Sequence, residues 1–446
     1  MNSDHNSVII LAAGNGSRLK SDTPKIFHTI GGLKLIDHVI RCAEKINPQN
    51  IFLVLNPKFK NFELEYEKDI KKVYQEIANG TGGAVKCVLD SEQLSDDGYT
   101  YILYGDIPLI SPENLKNLKE TAEKCEKTAV VVLAMPSDPS QNLGRLLSTG
   151  KDDQISQIVE ASDSKNYDDT LFLANTGLLV RNDILKKFIN QIKPNPKTNE
   201  FYITEIVRIA YEAGFVCRYC EGSVEELSGI NTREDLAKLE KFFQNSMRKK
   251  HMNNGVTLVA PETTFFSFDT EIENDVTIHP YVIFKKNVHI KKGAEIGPFC
   301  VVEGATVKNS QIGPFARIRP TTEINDGVRI GNFVEIKNSK ISEGAKINHL
   351  SYIGDSSVGE KSNIGAGTIT CNYDGFKKYK TYIGKNVFVG SNTAIVAPNK
   401  IEDNAIIGAG SVITKQVNEN ELAVTRSNQK NIEYGAKIFR EKRTKE

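Results

Sequence analysis

The chain has 446 residues, of which 39% are hydrophobic and 25% charged, a composition typical of soluble globular proteins with two or three domains. A net charge of +1 gives no electrostatic reason to expect nucleic acid or an anionic membrane as a partner. The apolar run from Val8 to Ala13 is too short for a signal sequence or a membrane span. Seven scattered cysteines indicate reduced thiols, so we expect a cytoplasmic protein.

The first half of the chain alternates predicted strands with predicted helices. Buried strands are expected at residues 7–13, at Ile51–Leu55 and at Thr100–Ile110, and a helix at Leu33–Lys45. This alternation predicts a doubly wound, mostly parallel α/β sheet.

Polar segments follow the first strand. Gly14 and Gly16 allow backbone N–H groups to approach a ligand, and Arg18 and Lys25 add positive charge. The combination describes a phosphate-binding loop, although two glycines and a lysine also occur in ordinary turns. The segment matches neither a Walker A loop nor a dinucleotide fingerprint.

Two further segments are candidates for ligand binding. Residues 79–83 (NGTGG) open a predicted helix, and their small groups suit a flat or anionic ligand, unless they form an ordinary helix start. Asp106 closes a buried strand, where open α/β sheets bind ligands; the alternative is an Asp that caps the next helix. Cys217 and Cys220 are placed on opposite faces of a strand, and we interpret them as structural rather than as a metal or redox pair.

The second half is dominated by an aliphatic residue that returns almost every sixth position from Ile272 to Ile413. This period fits neither a helix nor simple strand alternation, and it predicts a parallel β-helix of about eight triangular coils. Glycine often follows the aliphatic residue, as at Gly297 and Gly384, which suits a corner that needs a positive φ. A connecting helix is expected at residues 231–253.

One interruption breaks the period. Residues 371–380 separate Thr370 from the return of the repeat at Ile383. Insertions in solenoids map to loops on one face, often the binding face. After about Lys415 the period is lost and the chain ends in a basic, charged tail.

Several motifs resemble one family over nearly the whole chain. The first motif is the segment from LAAG at residues 11–14 to Pro24-Lys25, and the second is YGDIPL at residues 104–109. The others are the strings IGPFARIRP, GNFVEIK, HLSYIGD, NIGAGTITCNYDG and FVGSNT between residues 312 and 393. The chain resembles the bacterial bifunctional enzymes that are both N-acetylglucosamine-1-phosphate uridylyltransferases and glucosamine-1-phosphate N-acetyltransferases. The resemblance implies a Rossmann-like nucleotidyltransferase domain (1–230), a linker helix (231–250), a left-handed β-helix acetyltransferase domain (251–425) and a C-terminal tail (426–446).

By resemblance, the first half holds UTP, Mg²⁺ and the sugar phosphate. Asp106 and Asn231 are the implied Mg²⁺ ligands, and Arg18 and Lys25 face the phosphates. The full set implied to bind UTP or the sugar nucleotide is Leu11, Ala12, Ala13, Gly14, Arg18, Lys25, Gln75, Gly80, Thr81, Tyr104, Gly105, Asp106, Gly144, Glu160, Asn175 and Asn231.

By resemblance, the second half transfers an acetyl group from acetyl-coenzyme A, with His349 as general base. Taken alone, His349 is better explained as a turn residue, and only the surrounding motif changes that interpretation. The implied ligands of glucosamine 1-phosphate are Arg319, Lys337, Tyr352 and Asn363, and those of acetyl-coenzyme A are Ala366, Asn372, Tyr373, Ser391, Ala409 and Arg426. A homotrimer with sites between subunits is also implied.

The chain departs from the family pattern at three positions in the first half. Asn15 replaces a lysine, Leu143 a tyrosine and Ser228 an acidic residue. These changes motivate an alternative, an acetyltransferase whose first domain only binds nucleotide as a regulator. A non-catalytic scaffold built from the same two fold types is the third hypothesis, and it would not require His349, Lys337 and Arg319 to occur together.

Overall fold

The computed structural model describes residues 5–14, 16–66, 69–138, 144–159 and 170–443. The chain forms two compact units, Met1–Gln244 and Asn245–Glu446. No helix among the described residues is long and apolar enough to cross a membrane.

The N-terminal unit is built on a nine-stranded sheet in which β11, β7, β10, β6, β1, β4 and β5 follow one another, while β8 and β9 extend from β10. Its strands, together with the small separate hairpin β2–β3, are β1 Ser7–Ala12, β2 Thr29–Ile30, β3 Leu33–Lys34, β4 Asn50–Leu55, β5 Ile70–Tyr74, β6 Tyr99–Tyr104, β7 Thr128–Pro136, β8 Arg145–Ser148, β9 Ile155–Val159, β10 Thr170–Arg181 and β11 Val216–Glu221. Parallel pairs join β5, β4, β1 and β6, whereas β10 runs antiparallel to both of its neighbours. The predicted doubly wound, mostly parallel sheet is confirmed, and its antiparallel pairs are those that β10 forms and the β8–β9 pair.

Helices cover both faces of the sheet, because each strand alternates apolar side chains between two cores. The helices of the chain are α1 Leu35–Glu44, α2 Thr81–Ser91, α3 Pro112–Glu123, α4 Asn182–Phe188, α5 Glu205–Glu212, α6 Val224–Leu227, α7 Arg233–Asn253 and α8 Gly435–Arg443. The helix predicted from Leu33 starts two residues later, because Leu33 and Lys34 pair with Thr29 and Ile30 in the hairpin. The strand expected to reach residue 110 ends at Tyr104.

The C-terminal unit is a parallel β-helix with three faces, as predicted, and its hexapeptide repeats are consistent with the left-handed form. Face 1 contains Thr257–Leu258, Thr277–Ile278, Glu295–Ile296, Gln311–Ile312, Arg329–Asn332, Lys346–His349, Asn363–Ile364, Phe388–Val389, Ile406–Ile407 and Leu422–Ala423. Face 2 contains Ile283–Phe284, Val301–Val302, Arg317–Ile318, Glu335–Lys337, Tyr352–Gly354, Ile369–Cys371, Ala394–Val396 and Val412–Ile413. Face 3 contains Glu271–Ile272, His289–Ile290, Ala305–Val307, Thr322–Ile324, Lys340–Ile341, Ser356–Val358, Thr381–Ile383 and Asn399–Ile401.

The repeating aliphatic residues stack in the interior of this unit. Ile278 pairs with Ile296 and then Ile296 with Ile312, and all three are buried. Some repeating aliphatic residues are five rather than six positions apart, as Val307 and Ile312 are. Such a spacing shortens the coil, but the pairing register is kept. Each buried aliphatic side chain contributes about 1.5–3 kcal/mol relative to an exposed one.

The glycines after the aliphatic residues have a different role from the one expected. Gly313 has a positive φ of 99°, but Gly297, Gly354 and Gly384 do not. Most left-handed corner positions hold other residues, such as Phe333 and Asn386. A Cβ at Gly384 would lie 2.7 Å from the backbone nitrogen of Asp403, so glycine is needed there because the next coil approaches closely. The expectation of a positive φ at Gly297 and Gly384 is therefore wrong.

The ten-residue insertion leaves the scaffold intact. Val358 on the coil before it pairs with Ile383 on the coil after it. Within the loop, Asp374 Oδ1 accepts hydrogen bonds from the backbone nitrogens of Phe376 (2.8 Å) and Lys377 (2.7 Å). After the last coil the tail is exposed, and α8 buries none of its residues.

Candidate functional site

A cavity of about 320 Å³ opens at the carboxyl ends of β1 and β6 in the N-terminal unit. This is the edge at which open α/β sheets bind ligands. The lining residues come from β1 and the loop after it, from the segment around α2, from the end of β6 and from the loop before α5. They are Leu11, Ala12, Ala13, Gly14, Gly16, Lys25, Ile26, Gln75, Ala78, Gly80, Thr81, Ala84, Tyr104, Asp106, Glu200 and Tyr202.

The start of α2 forms one wall of the cavity. Gly80 is the N-cap with a φ of 96°, a conformation in which a side chain would also meet Phe201. Gln75 is buried, and its Nε2 donates to Asn79 Oδ1 (2.9 Å) and to Gly80 O (3.0 Å). The helix N-terminus therefore lines the cavity with its positive dipole end, a favourable place for an anion.

A cluster of charged and amide groups lies beside this wall. Lys25 Nζ contacts Asp106 Oδ2 at 2.5 Å and donates to Asn231 Oδ1 at 3.0 Å. Arg18 Nη2 donates to the same Asn231 oxygen at 2.8 Å. The backbone nitrogen of Ile230 donates to Asp106 O at 3.0 Å, which fixes Asn231 next to Asp106 although 125 positions separate them in the chain. Two hard oxygen atoms thus converge on one cation, here the Lys25 ammonium, and the same pair fits a Mg²⁺ ion.

Ten of the predicted nucleotide residues line the cavity. Asn175 Nδ2 donates to the Tyr104 hydroxyl at 2.9 Å. Gly105 is buried, with its nitrogen bonded to Leu11 O at 2.9 Å, and it is not part of the lining. Gly144 precedes β8 and is also absent from the lining. Glu160, Asn15 and Leu143 lie outside the described residues.

Sequence reasoning missed Glu200 and Tyr202 in the cavity wall. They are held there because Phe201 O accepts from Gly82 N (2.7 Å) and Phe201 N donates to Asn79 O (2.8 Å). The segment carries no glycine-rich or charged motif, so only its pairing with α2 reveals it. The two strand cysteines are not candidates: Cys217 and Cys220 pack in opposite cores, and burial raises the pKa of each thiol to about 12.

In the C-terminal unit, His349 stands at the corner between face 1 and face 2. One residue per coil occupies the same position along this corner. From the fifth strand of face 1 upward, this column reads Asn332, His349, Ala366, Ser391 and Ala409. His349 Nδ1 lies 2.7 Å from Asn332 Oδ1, and the imidazole is exposed. At the upper end, Arg426 Nη1 donates to Ala409 O at 2.7 Å.

The residue that directly follows the column position in each coil has a bulky side chain up to the coil of His349 and a different kind of side chain above it. Below it, exposed Tyr281, Phe299, Phe315 and Phe333 stack with ring centroids 4.8–5.1 Å apart, and Leu350 continues the row. Above it, the same positions hold Gly367, Asn392 and Gly410. Aromatic and large aliphatic side chains thus end at the coil of His349, and none follows at this position on the next three coils.

A basic cluster lies at the next corner, between face 2 and face 3. The side chain of Lys378, from the insertion, lies beside Lys337. This contact is the largest cause that lowers the pKa of Lys337, and burial is the second. Arg319 also lowers it and is paired with Glu335 at 2.7 Å. Two adjacent ammonium groups repel each other unless an anion lies between them, which makes the cluster a candidate phosphate site. Lys378 is a residue that sequence reasoning missed, although its place in a lysine-rich loop was a signal.

The remaining predicted residues are divided between these two corners. Tyr352 lies on face 2, and its hydroxyl is 3.5 Å from Asn372 Nδ2. Asn372 is buried and also donates to Asp355, so its amide supports the basic corner rather than the column of small residues. Tyr373 projects from the insertion and is exposed, whereas Asn363 lies on face 1. Within one chain, His349 and the basic cluster stand at opposite ends of face 2.

Comparisons with known proteins cover nearly the whole chain. Residues 8–168 match the MobA-like NTP transferase domain, residues 307–395 the GMPPB C-terminal domain, and residues 269–304 and 380–415 the bacterial transferase hexapeptide (six repeats). The bifunctional protein GlmU of Zymomonas mobilis is 42% identical over 445 residues, covering 98% of each chain. The GlmU proteins of Wolbachia pipientis and Thermodesulfovibrio yellowstonii are also 42% identical, over 96% and 95% of this chain and 99% and 97% of theirs. With its nucleotide-type cavity in one unit and its histidine corner on a hexapeptide β-helix in the other, the chain belongs to the GlmU family of bifunctional proteins.

Proposed function

We propose that the N-terminal unit transfers a uridylyl group from UTP to N-acetylglucosamine 1-phosphate. The phosphate oxygen of the sugar attacks the α-phosphorus of UTP, and pyrophosphate leaves. The convergence of Lys25, Asp106 and Asn231 at the mouth of a cavity walled by a helix N-terminus carries this proposal.

The chain's own residues supply alignment and charge. Gln75 and Thr81 face the nucleoside, while Arg18 and Lys25 neutralise the phosphates as charge develops toward pyrophosphate. The Lys25 ammonium lies on Asp106 and Asn231, the two residues that would hold Mg²⁺. A Mg²⁺ ion held there would supply positive charge against the phosphates. Gly144, Glu160 and Asn175 are assigned to the amino sugar from the family resemblance, and Asn175 Nδ2 donates to the Tyr104 hydroxyl at 2.9 Å.

We propose that the C-terminal unit acetylates glucosamine 1-phosphate with acetyl-coenzyme A. The 2-amino group attacks the thioester carbonyl, its proton passes to His349, and the coenzyme thiolate leaves. The column of small residues above His349 forms a groove for the extended arm of the coenzyme, and three coils at ~4.8 Å give it a length of ~14 Å. Arg426 at the upper end is placed for a coenzyme phosphate.

The separation of the two corners supports a site shared between copies of the chain. Lys337 pairs with Gly354, at the end of face 2 opposite to the corner that carries His349. We infer that the basic corner of one copy meets His349 of another, because within one chain the two corners do not adjoin. A homotrimer closes such head-to-tail contacts without leaving an open filament. Sedimentation that gives a stable monomer at micromolar concentration contradicts this arrangement.

The two reactions are consecutive. The acetylated sugar phosphate leaving the C-terminal unit is the acceptor used by the N-terminal unit, and UDP-N-acetylglucosamine is the final product. All seven cysteines are free thiols, which agrees with a cytoplasmic site for the pathway.

Two separate assays on the purified full chain test both proposals. The first supplies UTP, N-acetylglucosamine 1-phosphate and Mg²⁺ and measures pyrophosphate. The second supplies acetyl-coenzyme A and glucosamine 1-phosphate and measures free thiol. We expect both products. Free thiol without pyrophosphate supports the regulatory alternative for the first domain, and neither product supports the scaffold alternative.

A further inference from the structure

The hydrogen bond between His349 and Asn332 defines which nitrogen of the imidazole is basic. Asn332 Oδ1 lies 2.7 Å from Nδ1 and can only accept, so Nδ1 carries the hydrogen. In the neutral ring the lone pair is then on Nε2. No hydrogen bond to Nε2 is formed within the described parts of the chain, so this nitrogen is free to take a proton.

The scaffold holds the two side chains together. Asn332 and His349 are direct partners in the parallel ladder of face 1, one coil apart. A Cβ at Gly331 would lie 2.0 Å from Asn348 O, so the glycine allows the two coils to approach closely beside the pair. Leu350 N donates to Asn332 O at 3.1 Å, and the Ser351 hydroxyl donates to His349 O at 2.9 Å. The backbone on both sides of the imidazole is therefore fixed.

The column offers His349 no comparable partner on its own corner. The position two coils below it is Pro314, and the position one coil above is Ala366. Neither side chain has a hydrogen-bonding group. Asn332 is thus the side chain that stacks under the imidazole and can orient it.

We propose that Asn332 is a positioning residue for acetyl transfer, which holds His349 in the Nδ1–H tautomer and directs Nε2 at the substrate amine. The inference rests on the proposed role of His349 as general base. A neutral amide suits this task because it selects a tautomer without adding a charge, whereas a carboxylate would also stabilise the protonated ring.

The test reads the tautomer directly. Full-length protein labelled with ¹⁵N-histidine contains seven histidines, and the His349 signals are those lost in His349→Gln. Solid-state NMR of sedimented protein at pH 8 should show the His349 ring with Nδ1 protonated and Nε2 bare. In Asn332→Ala we expect a mixture of tautomers and a kcat for acetyl transfer lower by about tenfold, the size of one lost hydrogen bond, with KM nearly unchanged. Asn332→Asp keeps the acceptor and should retain the Nδ1–H tautomer.

A matched control comes from another corner. Asn404 also accepts a side-chain hydrogen bond from an adjacent coil, from Asn386 at 3.3 Å, so Asn404→Ala should leave the tautomer and kcat unchanged. A His349 ring with Nε2 protonated in the unmodified protein overturns the inference, as does an Asn332→Ala variant with unaltered tautomer and kcat. Unchanged acetyl transfer in His349→Gln would instead refute the proposed function, since the tautomer is measured without substrate.

Discussion

The two units assemble their sites in opposite ways. In the N-terminal unit, residues far apart in sequence converge at one edge of a sheet, as when Ile230 N anchors Asn231 beside Asp106. In the C-terminal unit, residues about one coil apart line up along a corner, as Asn332 and His349 do. The first arrangement encloses a cavity of about 320 Å³, whereas the second leaves an exposed histidine.

The difference follows from the folds. A doubly wound sheet brings the ends of many strands to one place, so a single chain can surround its substrate. A solenoid spreads its residues along an axis, and each coil contacts only its neighbours, so a pocket needs a second surface. The N-terminal site should therefore be complete in one chain and the C-terminal site complete only in an assembly.

The largest expected effect is at the N-terminal cation site. Asp106→Asn should abolish uridylyl transfer, because it removes the charged ligand of Mg²⁺, and should leave acetyl transfer within a few-fold because the two sites belong to separate units. Pyrophosphate release and thiol release measured on the same preparation check this. Equal loss of both activities would show that the two sites are not independent.

The reciprocal change is at the histidine corner. His349→Ala should lower acetyl transfer by about 10²–10⁴-fold, the usual contribution of a general base, and should spare uridylyl transfer. The readout is the initial rate at saturating acetyl-coenzyme A, with His289→Gln on face 3 as control. An unchanged rate in His349→Ala excludes this residue as the base.

Acid should destabilise the C-terminal unit through a buried histidine. His251 packs against the Phe266 ring with 4.8 Å between centroids, both ring nitrogens lack a hydrogen bond among the described residues, and burial lowers its pKa to about 4. An unfolded histidine binds its proton near pH 6.5, so the stabilisation is present above that pH and is lost as the pH falls from 6.5 toward 4. His251→Phe removes this proton and keeps the aromatic contact.

Urea denaturation at pH 7 and at pH 4.5 measures the free energy of unfolding of the C-terminal unit. Between these two pH values, the free energy of unfolding should fall by about 2–3 kcal/mol more in the unmodified chain than in His251→Phe. The transition of the N-terminal unit should be the same in both proteins. Parallel losses in the two proteins would show that His251 titrates as in an unfolded chain.

A smaller effect is expected at the basic corner. Lys378→Met should raise KM for glucosamine 1-phosphate by about tenfold, because one of two ammonium groups facing the phosphate is removed. Lys377→Met removes the same charge from the same loop and is the matched control. If both variants behave alike, only the general charge of the loop matters.

The smallest effect concerns Asn15, which lies outside the described residues and is assigned from the sequence to the loop next to the triphosphate. Asn15→Lys restores a charge that the family pattern has, and should lower KM for UTP several-fold at low ionic strength, with the gain shrinking as salt rises. UTP affinity that is unaltered at both salt concentrations would place the loop elsewhere.

The fold was largely predictable because its signals are periodic. Six-residue spacing from Ile272 onward predicted the β-helix, and strand–helix alternation predicted the sheet. Details that depend on contacts between distant segments were not predictable. The reversal of β10, the role of Gly384 in close coil packing, and the split of α1 from the hairpin at Leu33 are examples.

The candidate sites were predictable where a motif carried them. Gly14, Lys25 and Asp106 lie in recognisable strings, and the structure places all three in one cavity. Tyr202 was missed because its place depends on the pairing of its loop with α2. Lys378 and Asn332 were missed because their importance comes from the neighbouring coil, which a linear sequence does not display.

The ten-residue insertion after Thr370 has a consequence for how this architecture can change. The chain leaves the β-helix and returns to the same ladder, with Val358 and Ile383 paired as if the loop were absent. The entropy of closing a loop grows only logarithmically, and doubling its length costs about 0.6 kcal/mol. The loop that brings Lys378 to the basic corner can therefore lengthen, shorten or change composition while the coils beneath it keep their stability. Acceptor preference in such a protein can evolve separately from its folding.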